Sequence, residues 1–277
     1  MIGKIILLSV FVAIAVSAHA QTLQSKIQVD FKGNKIFSSD ALLQKLSPCV
    51  AKHSDSESKY DANLYKYCLQ TTVLDFLRSK GYLKAKIDES EVQESEQNLK
   101  IKISVEEGIS YRVGNINIQG AKVFTPEQLL EKLNLKTGDI ADGHELRIWL
   151  FERLRKLYAN EGYIESSFDL EPKFKTFAKN ESEGHVDFEI AVDEGRRFTI
   201  ARIEFAGNKR TSDQVLRSTV LIKEDEPFNR QRFEEGIEKL NGLGLFERID
   251  KDKDVQFRSD TESSLLKLII QVKEKLP

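Results

Sequence analysis

Three histidines beyond residue 20, two cysteines and two acidic pairs are the residues of this 277-residue chain whose types and spacing could do chemistry. His53, His144 and His185 stand far apart, one to each loop or helix start, and no two share metal-ligand spacing. Cys49 and Cys68 form no C-x-x-C motif. Glu106-Glu107 and Asp193-Glu194 have the composition of a general acid and base. They recur 87 residues apart, each followed by a glycine, Gly108 or Gly195. Duplication in register at a junction points to a structural joint, because an active site is rarely copied that way. Gly242-x-Gly244 follows a helical pattern and is a poor phosphate loop. Trp149 falls on the apolar face of a helix and reads as core. No catalytic residue, metal set or cofactor is expected, and an enzyme is the weakest reading of the chain.

The elements that position these residues come in three copies. An alternating strand (Leu99, Ile101, Ile103, Val105) ends in the acidic pair and Gly108, and a second strand (Ile116, Ile118) stops at Gly120. The pattern returns 87 residues later as Val186, Phe188, Ile190 and Val192, then Gly195, Ile203, Phe205 and Gly207. The same step back from Gly120 reaches Gly33, after the strand Ile27–Phe31. Leu266, Leu268, Ile270 and Val272 form a third copy, 80 residues on. Two helical patterns lie between the strands of each copy. The first opens at Ser39-Asp40 and ends at Pro48, opens at a Thr125-Pro126-Glu127-Gln128 capping box, and opens at a second box, Thr211 with Gln214. The second carries Leu69, Val73, Phe76 and Leu77 on one face, then Leu146, Trp149, Leu150, Leu154 and Leu157, then Phe233, Ile237 and Leu240. Gly81 and Gly162 stop it. Residues 49–61 read as a polar loop. The fold class is therefore α+β: three tandem β-α-α-β-β domains, each a small mixed three-stranded sheet with two helices on one face. The expected domains are residues 21–108, 109–195 and 196–277. Apolar positions change phase between Val113 and Ile116, and between Ile200 and Ile203, so a bend between domains is expected there.

Residues 1–20 read as a cleaved secretory signal: Lys4, an apolar run Ile5 to Val16, and Ala18-His19-Ala20 before Gln21. The alternative, an uncleaved membrane anchor, is disfavoured by the shortness of the apolar run. Removing the leader takes away one cation and leaves a near balance of charge, which gives no support to nucleic-acid binding. In an oxidising compartment Cys49 and Cys68 are expected to pair, the alternative being two buried free thiols, and an unstrained loop of this length stabilises by about 3 kcal/mol.

The repeated Val-Glu-Glu-Gly (105–108) and Val-Asp-Glu-Gly (192–195), each leading into Ile-x-Ile/Phe-x-Gly, resemble POTRA (polypeptide-transport-associated) domains of the BamA-type outer-membrane barrel assembly family. Phe205-Ala206-Gly207-Asn208 and Gly244-Leu245-Phe246 carry the same resemblance, which covers about residues 26–276. It implies periplasmic domains, peripheral to the outer membrane, whose partners are unfolded β-barrel proteins or a barrel insertase and its accessory proteins. It further implies recognition by strand addition to the edge strand after the second helix. Those strands are expected at about Leu83–Val92, Ile164–Phe174 and Arg248–Phe257, with Lys84, Lys86, Asp88, Ile164, Glu165, Phe168, Arg248 and Lys251 as candidate binding residues. Their charges serve equally well to guard an edge against aggregation. Glu106, Glu107, Gly108, Asp193, Glu194 and Gly195 are the expected inter-domain joints. In the family a membrane barrel follows the last such domain. Here every strand-like segment is used by the repeats, so barrel insertion by this chain itself is not expected. The leading reading is a periplasmic scaffold or chaperone of outer-membrane protein assembly. The alternative is a cell-envelope tether or division-type scaffold docking one folded partner.

Overall fold

The structure, a computed structural model, describes residues 26–53, 62–94, 98–177 and 180–275. The expected leader lies outside these residues. Three three-stranded sheets succeed one another along the chain. In the first, β1 (Lys26–Lys32) runs parallel to β3 (Asn98–Glu106), which pairs antiparallel with β2 (Lys86–Glu94). The second has β4 (Ser110–Gln119), β6 (Asn180–Asp193) and β5 (Ser167–Phe177) in the same order, and the third has β7 (Thr199–Ala206), β9 (Leu265–Gln271) and β8 (Val255–Asp260). The last strand of each unit is therefore central, and the strand after the second helix lies at an edge. This is the α+β, three-unit architecture that the repeat predicts.

Between the first two strands of the first unit lie α1 (Ser39–His53), α2 (Ala62–Cys68), a π-helical turn (Leu69–Val73) and α3 (Leu74–Ser79). The second unit has α4 (Pro126–Leu130), α5 (Gly143–Ile148), a π-helical turn (Trp149–Leu154) and α6 (Arg155–Asn160). The third has α7 (Asp213–Thr219) and a regular α8 (Arg230–Gly242). Each unit buries its own core between these helices and alternate residues of its sheet. On β9 only Leu266, Leu268 and Ile270 are fully shielded, as period-two burial requires. Trp149 and Tyr158 fill the middle core.

Four expectations change. Pro48 does not end α1, which continues to His53. Proline removes one helical hydrogen bond, but Leu46 and Cys49 on either side of it are buried, and the Cys49–Cys68 disulfide fixes the last turn to the second helix, with Cα atoms 5.7 Å apart. The capping box at Thr125 and Gln128 forms, whereas that at Thr211 and Gln214 does not. The Thr211 N–H is taken by Glu274, and the helix starts later, after Ser212. The phase changes are not bends between units. Each is a β-bulge inside the unit's first strand, at Val113/Ile116 and Ile200/Arg202, and both halves of the strand pair with the same central strand. Finally, the edge strands begin three, three and seven residues later than expected, so Lys84, Ile164, Glu165, Arg248 and Lys251 precede them.

Candidate functional site

The acidic pairs divide their labour. Glu107 is buried, and its carboxylate accepts the N–H groups of Lys35 and Ile36, both at 2.8 Å, and of Phe37 at 2.9 Å. Glu194 accepts those of Lys122 (2.6 Å) and Val123 (2.8 Å), and the Tyr158 hydroxyl at 3.1 Å. Burial and the Glu194 charge beside it push the Tyr158 phenol far above its ordinary range. The preceding acids stay outside: Glu106 meets Lys86 at 3.8 Å in solvent, and Asp193 accepts the Gly195 N–H at 3.1 Å. The third unit has the same latch. Glu274 accepts the N–H groups of Arg210 (2.9 Å) and Thr211 (2.8 Å). Burial works against its ionisation, but those N–H groups and the Arg210 guanidinium outweigh it and hold the carboxyl at about 2. The sequence reading missed Glu274, although it lies 80 residues beyond Glu194, the step already seen from Val192 to Val272. Each glutamate ties the turn after the unit's first strand to the end of its central strand. The turn glycine makes this approach possible. At Gly120 φ is 85°, and a Cβ there would sit 2.2 Å from the Val192 carbonyl oxygen; at Gly207 the distance is 2.0 Å to Val272.

The joints between units lie beside these latches. The Tyr111 N–H donates to the Gly81 carbonyl at 2.9 Å, and Phe198 donates to Gly162 at 2.9 Å. Leu83 of the first unit packs on the second unit's core, and Ile164 of the second packs on the third's. Lys84 sits 4.2 Å above the Phe174 ring. Glu165 accepts hydrogen bonds from Ser259 (3.1 Å) and Thr261 (3.4 Å). Lys84, Ile164 and Glu165 are thus joint residues. Arg248 pairs with Glu238 at 3.4 Å in solvent, and Lys251 reaches Glu234 at 3.5 Å, both from the loop ahead of β8. Of the eight candidates only Lys86, Asp88 and Phe168 stand on edge strands, and Phe168 is buried against Tyr158.

In the second and third sheets the two edges differ. Residues 138–141 cover the outer edge of β4, with Val113 N–H to Asp139 O at 2.9 Å and Ala141 N–H to Tyr111 O at 2.8 Å. Residues 225–228 cover β7 in the same way, through Ile200 N–H to Glu226 O at 2.9 Å. Among the described residues, no backbone hydrogen bond occupies the outer edges of β2, β5 or β8. Such an edge presents donors and acceptors that an added strand can use.

A protein of Treponema pallidum (strain Nichols) named as an outer membrane protein assembly factor is 27% identical over 96% of the chain and 31% of its own length. The outer membrane protein assembly factor BamA of Neisseria meningitidis serogroup B (strain ATCC BAA-335 / MC58) is 26% identical over 81% of the chain and 28% of its own length. The chain therefore spans about a third of these relatives. The crystal structure of Haemophilus influenzae BamA POTRA3-5 superimposes with a TM-score of 0.71 at 23% identity, covering 90% of this chain and 96% of that one, a likeness of fold. The model of the POTRA family, surface antigen variable number repeat, matches three times, at residues 27–108, 111–195 and 198–275, so the chain belongs to the POTRA family.

Proposed function

We propose that this chain is a periplasmic scaffold of outer-membrane protein assembly, which receives extended segments of unfolded β-barrel proteins by strand addition to its sheet edges. The observation that carries the reading is the asymmetry that the second and third sheets share. One edge is covered at β4 and β7 by the unit's own loop, whereas among the described residues β2, β5 and β8 keep their outer backbone groups without a backbone partner. The names of the relatives support the cellular context. The role is binding, with the joints setting the spacing of the edges.

The test is photocrosslinking in intact cells from Lys86, Asp169 and Gln256, one on each edge strand, with Lys132 and Glu235 on the helical side as controls. Capture of several unfolded barrel proteins at edge positions only is the expected result. Capture of one folded envelope protein would replace the client reading by the tether reading, and edge signals no higher than the controls would remove both.

A further inference from the structure

The three outer edges are not equivalent. β2 is broken by a register shift between Glu89 and Glu91. β5 carries Pro172 in mid-strand, opposite Phe188. Proline is tolerated in a sheet where its missing N–H faces away from the paired strand, so that gap falls on the outer edge. Bulges and prolines both blunt an edge against pairing. β8 has neither, and pairs with β9 without a shift over all six residues.

Beside β8 a groove of about 600 Å³ opens between the second and third units. Phe257 of β8 stands at its edge, with ring centroids 5.7 Å from Phe228 and 5.2 Å from Phe233. Phe151, from the π-helical turn of the second unit, forms the other wall. These two rings are 43% and 54% exposed. The same side of β8 holds buried Val255 and also Ser259, which bonds Glu165 across the joint. A strand added to β8 keeps the pleat, so every second side chain of it would lie over the groove. The groove's charges have a sign. Lys156, Arg230 and Lys251 converge on Glu234 at 3.0, 3.0 and 3.5 Å. Arg155 has no ion-pair partner among the described residues, and with Glu152 and Asp252 counted the lining keeps one excess positive charge.

We propose that the β8 edge and this groove form one docking site for an extended segment of an unfolded chain that carries an aromatic side chain with an acidic neighbour. The segment adds a fourth strand to the third sheet, and its ring fills the space between Phe151 and Phe257. The occupant touches both units and so stiffens their joint. This rests on the strand-addition reading above, and adds the edge that is used and the class of segment it takes.

The test uses the full chain and three labelled ten-residue probes. The first alternates threonine with tyrosine and phenylalanine and carries one glutamate. The second replaces its aromatic residues by threonine. The third is the first with alternate amides N-methylated. The first probe is expected to bind, the second about tenfold more weakly, and Phe151→Ala to weaken the first by about tenfold without unfolding the protein, because that ring is exposed. Arg155→Glu is expected to weaken it further at low salt than at high salt. Equal binding of the first two probes, or no effect of Phe151→Ala, overturns the groove and leaves strand addition standing. Undiminished binding of the N-methylated probe overturns strand addition itself. A concentration-dependent dimer that Phe151→Ala abolishes and the first probe cannot displace would assign the groove to a second copy of the chain.

Discussion

Glu274 shows how much one side chain does in a unit of this size. Its carboxylate gathers two backbone N–H groups and the Arg210 guanidinium, and so closes the turn after β7 onto the end of β9. An unpaired N–H there would cost about 1–3 kcal/mol if buried, which is why the same device recurs at Glu107 and Glu194. The carboxyl is held at about 2 in the fold, against 4.5 ordinarily. A depressed acid stabilises the folded state only while it is ionised. Its contribution is complete above about pH 4.5 and disappears as the pH falls toward 2. Glu274→Gln should therefore unfold at a lower temperature than the wild type at pH 7, with the gap closing between pH 4.5 and 2. Calorimetric scans of both proteins across this range check it, and a constant gap would rule out an ionised latch. This residue was legible in principle from the 80-residue step, but Lys273 stands where the other copies have an acid, which hides the pair.

At the scale of elements, periodicity told most of the story and failed where two constraints meet. The alternation of Ile101, Ile103 and Val105 on β3 and the capping box at Thr125 are local signals, and both held. The bulges at Val113 and Ile200 were visible as phase changes, but sequence alone does not say whether a chain bends or merely inserts a residue. In the first two units the edge strands start late where Leu83 and Ile164, both half-buried, turn to the next unit's core, while Tyr82, Ala85 and Tyr163 beside them pack on their own. Pro48 misled for a tertiary reason: the disulfide closes a 19-residue separation and holds the turn that proline weakens. Replacing Cys49 and Cys68 by serine should then destabilise the first unit by about 3 kcal/mol, and fray α1 after Leu46 first. Hydrogen exchange checks both. Loss of protection at Cys49–His53 with the second and third units unchanged is expected, and uniform loss across all three units would refute this local role.

In the whole molecule the two joints are built alike and charged oppositely. Asp75 of the first unit meets Arg147 of the second at 2.9 Å and His144 at 3.3 Å. At the corresponding place Lys156 of the second unit meets Glu234 of the third at 3.0 Å. A first unit docked directly on a third would therefore bring Asp75 to Glu234, acid against acid, so the polarity of the joints favours the order in which the chain presents its units. Such partly exposed pairs contribute only about 0–1 kcal/mol each, less than the plug of Leu83 and the Gly81–Tyr111 hydrogen bond beside them. Asp75→Lys should accordingly leave the unfolding temperature almost unchanged while loosening the angle between the first two units. Spin labels at Lys52 and Lys132 give the readout, as the width of the distance distribution between them. Broadening in Asp75→Lys and narrowing again in Asp75→Lys with Arg147→Glu is the expected pattern. Equal widths in all three proteins would mean that backbone and apolar contacts alone set the joint. The charges would then play no part in holding the sheet edges at fixed spacing.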